Sequence, residues 1–178
     1  MRMNATTTVL AAGLCVWAGA AAVEAAASKA GKTNAQTFLS KAAQANMAEV
    51  ELGKLAAEKA ESADVKQYGQ KMVDDHGKAS KEVQDLADQK GLTLPTYIGA
   101  AHKAAKTRIE KLSGGAFDRA FMAQMVKDHQ AAVALFRTQA RSGQDPDVKA
   151  FAEKMLPDLE GHLKMAIDLN RQQRQASR

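Results

Sequence analysis

Three histidines and one glutamate, each on a different amphipathic stretch, are the residues with the types and spacing to do chemistry. They are Glu49 in NMAEVELGKLAAEKA, His76 in VKQYGQKMVDDH, His129 in FMAQMVKDHQAAVALF and His162 in LEGHLKMA. Steps of four and three along each stretch place every one of them in a row of apolar or small residues. The rows are Phe38, Ala42, Ala45, Glu49, Leu52, Ala56; then Val65, Gly69, Met72, His76, Ala79, Val83, Leu86; then Met122, Met125, His129, Ala132, Phe136; and Val148, Ala152, Met155, Leu159, His162, Ala166, Leu169. Four ionisable groups buried without partners would cost several kcal/mol each. Three neutral imidazoles and one carboxylate converging in a bundle core are a donor set for a transition metal such as Zn, Cu, Fe or Ni. Asp75, Asp128 and Asp158 lie beside or one turn before these histidines and are candidates to orient the rings. Met125, one turn before His129, is a candidate extra ligand for copper. The opposing reading is a polar layer that fixes helix register and binds nothing.

Such a layer requires elements that bring the four groups to one height. The chain is Ala-rich, 46% hydrophobic and only 4% aromatic, which favours an all-α fold. Helix signals mark four long segments, at about 34–61, 64–90, 116–141 and 147–171, with Gly91, Gly114, Gly115 and Gly143 at their boundaries. Between the second and third segments, GLTLPTYIGAAHKAAKTRIEKLSGG carries a short helical stretch near 100–112 and is long enough to cross a bundle. The expected fold is a four-helix bundle of two helical hairpins joined by a long crossover that contains a short helix. DVKQYGQKMVDD and DVKAFAEKMLPD are identical at six of twelve positions, which suggests that the second helix of each hairpin repeats one pattern. Pro157 interrupts that match and predicts a kink before His162.

Counted from a turn at Ser62, Glu49 and His76 are level, ~20 Å from the turn. Counted from a turn at Gln144, His129 and His162 differ by ~4.5 Å, so all four groups share one layer if the hairpins pack with their middles together.

The N-terminal stretch pairs an early Arg2 with an apolar run from Val9 to Val23 and small residues at Ala25–Ala27. It reads as a secretory signal peptide over 1–27, followed by a flexible segment over 28–33. The run is short of the ~20 residues that span a bilayer, so no transmembrane segment is expected in the mature chain, and the destination is the periplasm. Peripheral outer-membrane association and a homo-dimer are compatible with it. Removing the leader takes Cys15 with it, which excludes thiolate and disulfide chemistry. The net charge of +5 is spread over interleaved acidic and basic faces. No basic patch has interleaved aromatics, so nucleic acid is not an expected partner. The end, 172–178, reads as a basic disordered tail.

The run FDRAFMAQMVKDHQAAVALF, with DPDVKAFAEKMLPDLEGHLKMA, NMAEVELGKLAAEKA and VKQYGQKMVDDH, resembles an exported bacterial ferritin-like family of unknown function, often labelled "predicted outer membrane protein". The resemblance covers about Gln36 to Leu169. It implies a ferritin-like bundle in the cell envelope and no established activity. The Glu-x-x-His signature of di-iron sites is missing, since Leu52 follows Glu49 and Leu163 follows Glu160 at that spacing. No nucleophile elbow, phosphate-binding glycine loop, CxxC or HExxH occurs, and the reading leans away from an enzyme. A non-catalytic envelope interaction or stress-protection module is the alternative function.

Overall fold

The computed structural model describes residues 17–176, with side chains from 28 onward; much of the expected leader peptide lies outside the described residues. Among them there are five helices and no strand: α1 (Trp17–Lys59), α2 (Ala63–Gln89), α3 (Ala100–Ile109), α4 (Gly114–Ser142) and α5 (Pro146–Gln175). α1 pairs with α2 and α4 with α5. The hairpins meet through α1 against α4 and α2 against α5, while α3, on the crossover, touches α1 and α4. This is the two-hairpin bundle expected from the sequence.

Two boundaries differ from expectation. Residues 28–33 are helical rather than a flexible segment, because nothing in the Ala-rich stretch stops a helix except Gly31, which costs only ~1 kcal/mol. The Thr33 hydroxyl donates to the Lys29 carbonyl at 3.0 Å within this turn. At the other end α5 continues to Gln175, so most of the expected disordered tail is helix. α5 also passes through Pro157 as one unbroken helix; Pro157 and Glu153, whose carbonyl loses its partner, are both exposed.

The turns follow from local chemistry. Gly91 takes φ +63°, its N–H reaching the Asp88 carbonyl while Leu92 N–H reaches Ala87, the double closure that ends α2. Asp145 caps α5, accepting from the N–H groups of Asp147 and Val148 at 3.0 and 3.1 Å, with Pro146 opening the helix. Asp145 also pairs with Lys90 at 2.8 Å, which ties the end of α2 to the start of α5. Asp145→Ala should therefore cost about 1 kcal/mol, read as a melting midpoint lower by about 2–4 °C. An unchanged midpoint would mean that this cap is dispensable.

α1 and α2 approach closely at two glycines. A Cβ at Gly69 would stand 2.7 Å from the Ala56 Cβ and 2.8 Å from the Gly53 carbonyl oxygen, so only hydrogen fits there. α4 holds the α1–α2 turn through buried Asp118, which accepts from the backbone N–H groups of Glu61 and Ser62 at 3.1 and 2.8 Å.

The interior divides into two apolar clusters. One is built around Phe38, Leu39, Val83, Phe136 and Phe151, with the Phe38 and Phe136 rings edge to face at 4.9 Å. The other is built around Leu52, Tyr68, Met72, Phe117, Phe121 and Met122. On each of the four long helices, the candidate site residue falls between stretches belonging to the two clusters.

Candidate metal centre

The packing that buries the two clusters carries His76, His129 and His162 inward from α2, α4 and α5. Their ring centroids form a nearly equilateral triangle with sides of 5.5, 5.4 and 5.5 Å. One ring nitrogen from each lies within 4.8 Å of the others. All three rings are buried, His129 most deeply at 1% exposure.

Each ring is held from behind by a different partner. His76 Nδ1 donates to Asn46 Oδ1 on α1 at 2.9 Å, and His129 Nδ1 donates to the Met125 carbonyl at 2.9 Å. His162 Nε2 donates to Asp75 Oδ2 at 3.0 Å. Acceptors at these positions fix the proton on the bonded nitrogen, which leaves the other nitrogen of each ring with a lone pair. Those other nitrogens, His76 Nε2, His129 Nε2 and His162 Nδ1, are buried and have no hydrogen-bond partner in the protein. Tyr68 closes one side, its hydroxyl donating to the His162 carbonyl at 3.3 Å and its ring edge-on to His129 at 6.5 Å.

Glu49 reaches the layer but not the triad. Its Oε1 is 3.9 Å from His129 Nδ1, the nitrogen already bonded to Met125, and its Oε2 is buried without a partner. Glu49 therefore stands behind His129. The height arithmetic placed it at the right level without saying which side of the ring it meets.

The expected orienting groups are partly redistributed. Asp75 does orient a histidine, but it is His162 across the bundle and not its neighbour His76, because adjacent helical residues point about 100° apart. Asp128 accepts from Gln124 Nε2 instead, at 2.9 Å to both oxygens. Asp158 is exposed and forms no hydrogen bond to His162 among the described residues. Met125 contributes its carbonyl, while its side chain belongs to the apolar cluster. Asn46 escaped the sequence reading, although its place three residues before Glu49 on the same helix face was a usable signal. His102 on α3 is half-buried and 3.9 Å from Asp128.

The burial sets the protonation states. Desolvation, then the His129 and His162 rings, pushes His76 down to about 3. Desolvation likewise pushes His129 down to about 4, against the pull of the Met125 carbonyl, and lowers His162 despite Asp75. Glu49 moves the other way: burial, then the Asp128 charge, raises its carboxyl well above the ordinary range. For Asp75, burial acts upward but the hydrogen bonds from Lys71 and His162 outweigh it, and its carboxyl lies below the usual value.

These shifts predict a pH dependence for the metal-free chain. Unfolded histidines titrate near 6.5, so above that pH both states hold neutral rings and the stability is fully present. As pH falls from about 6.5 toward the folded values near 4 and 3, the unfolded chain takes up protons that the folded one refuses. The loss approaches about 1.4 kcal/mol per pH unit for each such histidine. Glu49 has the opposite sign, its contribution being present below its unfolded value near 4.5 and lost as pH rises through its folded one. The midpoint measured in chelator should fall between pH 6.5 and 4, and less steeply in His76→Leu; a flat profile would contradict neutral buried rings.

Fold and site together define a class: a two-hairpin helical bundle with three histidines in a layer between two apolar cores. The chain belongs to the family described as a domain of unknown function, DUF4142, matched over residues 20–169. No curated protein matches it. In fold it is similar to CopM in its Cu(II)-bound form, at 17% identity and a TM-score of 0.66, covering 78% of this chain and 96% of that one. It is similar to a DUF305 fragment from Deinococcus radiodurans at 17% identity and a TM-score of 0.68, with the same coverage. CopM in its Ag-bound form matches at 16% identity and 0.64, again over 78% and 96% of the two chains. The likeness is one of fold, that of the DUF305 and CopM helical proteins, where the sequence resemblance had suggested a ferritin-like label. Among the described residues no helix is long and apolar enough to cross a membrane.

Proposed function

We propose that this protein is an exported copper-binding bundle that holds one ion on His76, His129 and His162. The observation that carries the reading is the set of three buried ring nitrogens without partners, one from each histidine, in rings whose opposite nitrogens are anchored. A layer that only fixed helix register would satisfy its polar atoms within itself, because each buried unsatisfied atom costs about 1–3 kcal/mol. Imidazole suits Zn, Cu, Fe and Ni alike. The copper and silver bound by CopM, which shares the fold, support copper within that group.

Asn46, the Met125 carbonyl and Asp75 orient the ligands, each by accepting the outer ring proton. Glu49 supplies a carboxylate behind His129 to balance cationic charge. The chain's role is to bind and shield a metal ion in the periplasm; among the described residues no nucleophile and base are in hydrogen-bond contact.

Burial holds His129 and His76 neutral down to about 4 and 3, so proton competition for these two ligands should begin near pH 4. Free histidines would place that onset near 6.5. Titration of the purified chain with Cu(II) should give one ion per chain, with the histidines still competent at pH 5. Less than stoichiometric binding of Cu, Zn, Fe and Ni alike would overturn the proposal in favour of a water-filled polar layer.

A further inference from the structure

Two clefts of similar size reach the histidine layer from opposite sides. The cleft between α2 and α5, about 300 Å³, is lined by Asp75, Glu82, Lys71, Lys78 and Lys154 among others. Its charges balance, three carboxylates against three lysines: Lys71 and Lys78 lie 2.7 and 3.9 Å from Asp75, Lys154 lies 2.8 Å from Glu82, and Asp158 also lines it. The cleft between α1 and α4, about 330 Å³, is lined by Glu49, Asp128, His102 and His129 against a single lysine, Lys41.

Three features make the second cleft more than an acidic hollow. Glu49 is 4% exposed, lines this cleft, and leaves Oε2 without a partner. Asp128 is held rigidly by Gln124, which is itself held by Arg108 at 3.1 Å, so neither support neutralises the carboxylate by direct ion pairing. His102 Nε2 faces Asp128 Oδ1 at 3.9 Å, too far for a hydrogen bond and close to the spacing of two donors on one ion. A cation approaching the bundle therefore meets the Asp128 carboxylate, which has no Lys or Arg partner among the described residues, and an imidazole on this side, and charges that balance on the other.

We propose that the α1/α4 cleft is the loading route to the triad, with His102 and Asp128 forming an outer capture site for the incoming transition-metal cation. The cation passes from that pair to the triad through the cleft that His76 and His129 both line. The proposal rests on the triad being a metal site and adds a direction, a second set of donors and a role for α3, which carries His102 on the crossover.

A route differs from a ligand in its kinetics, because lowering a barrier speeds loading and release by the same factor. Stopped-flow mixing of the metal-free chain with Cu(II), and of the loaded chain with EDTA at a concentration where dissociation limits the rate, reads both directions. His102→Ala and Asp128→Asn should slow each by about tenfold, with their ratio unchanged. Asp128→Asn should also flatten the fall of the loading rate with ionic strength. Glu82→Gln, in the opposite cleft, should load at the wild-type rate. A second arm uses the His76→Leu/His129→Leu chain, which should retain one weak Cu(II) site that disappears when His102→Ala is added.

Wild-type loading rates in His102→Ala and Asp128→Asn, or a slowing in Glu82→Gln, would overturn the route while leaving the triad intact. A wild-type chain that takes up no Cu(II) would overturn the triad, and the route with it.

Discussion

His129→Leu will abolish stoichiometric Cu(II) binding and leave the metal-free bundle at least as stable as the wild type. The two effects have separate causes. Removing an orienting partner behind a ligand costs about 10–100-fold in affinity, and removing one of three ligands costs more than that. In the metal-free chain His129 Nε2 is a buried nitrogen without a partner, and leucine of comparable volume removes it without opening a cavity. The Met125 carbonyl loses the ring N–H but remains inside α4. Copper at a thousand times its Kd stabilises the wild-type fold by about 4 kcal/mol, which for a chain of this size moves the midpoint roughly 10 °C upward. His129→Leu should melt at or above the metal-free wild type and show no such shift. Paired melts with chelator or Cu(II) separate the outcomes: a shift that persists in the variant places the ion elsewhere. A metal-free midpoint several degrees lower would mean that the ring is needed for packing.

The same residues show what a sequence can and cannot convey. Period and spacing placed all seven expected core residues of α2 in the interior, from Val65 to Leu86. They also placed His129 and His162 in rows that are buried apart from half-buried Ala132, Met155 and Leu169. On α4 the row holds through Phe136, with one exception: Val133 is buried and its neighbour Ala132 is half-buried. Height along a hairpin is fixed by the rise per residue, which is why four groups on four helices could be assigned to one layer. Direction around a ring is not fixed by rise. The hydrogen bonds from His162 to Asp75 and from His76 to Asn46 cross between helices, and their partners depend on how the helices are rotated about their axes. Glu49 shows the difference most clearly, being at the expected height and on the far side of His129 from the lone pair.

That position makes Glu49→Gln the more informative substitution, because it should act with opposite signs on the two states. In the metal-free chain the carboxyl is buried beside the Asp128 charge and its proton is held well above the ordinary pKa, so ionising it is costly. Glutamine keeps the shape and removes the charge. The metal-free midpoint should stay or rise, with the gain largest at high pH, where the wild type must bear a carboxylate. With Cu(II) bound, the triad carries positive charge and Glu49 Oε1 sits 3.9 Å from His129 Nδ1. A unit charge pair at that distance interacts by about 4 kcal/mol at an effective dielectric of 20, an upper bound for delocalised charge. The expected loss in Glu49→Gln is about 10–100-fold in Cu(II) affinity at pH 7, within that bound. The same electrostatics couples a proton to the ion: wild-type affinity should rise with pH as Glu49 gives up its proton on binding, and Glu49→Gln should lack that rise. Calorimetry in buffers of different ionisation enthalpy counts the released protons directly. Equal affinity and equal proton release in the two chains would remove Glu49 from the charge balance of the site, while a loss of stoichiometric binding would show that it is a ligand after all.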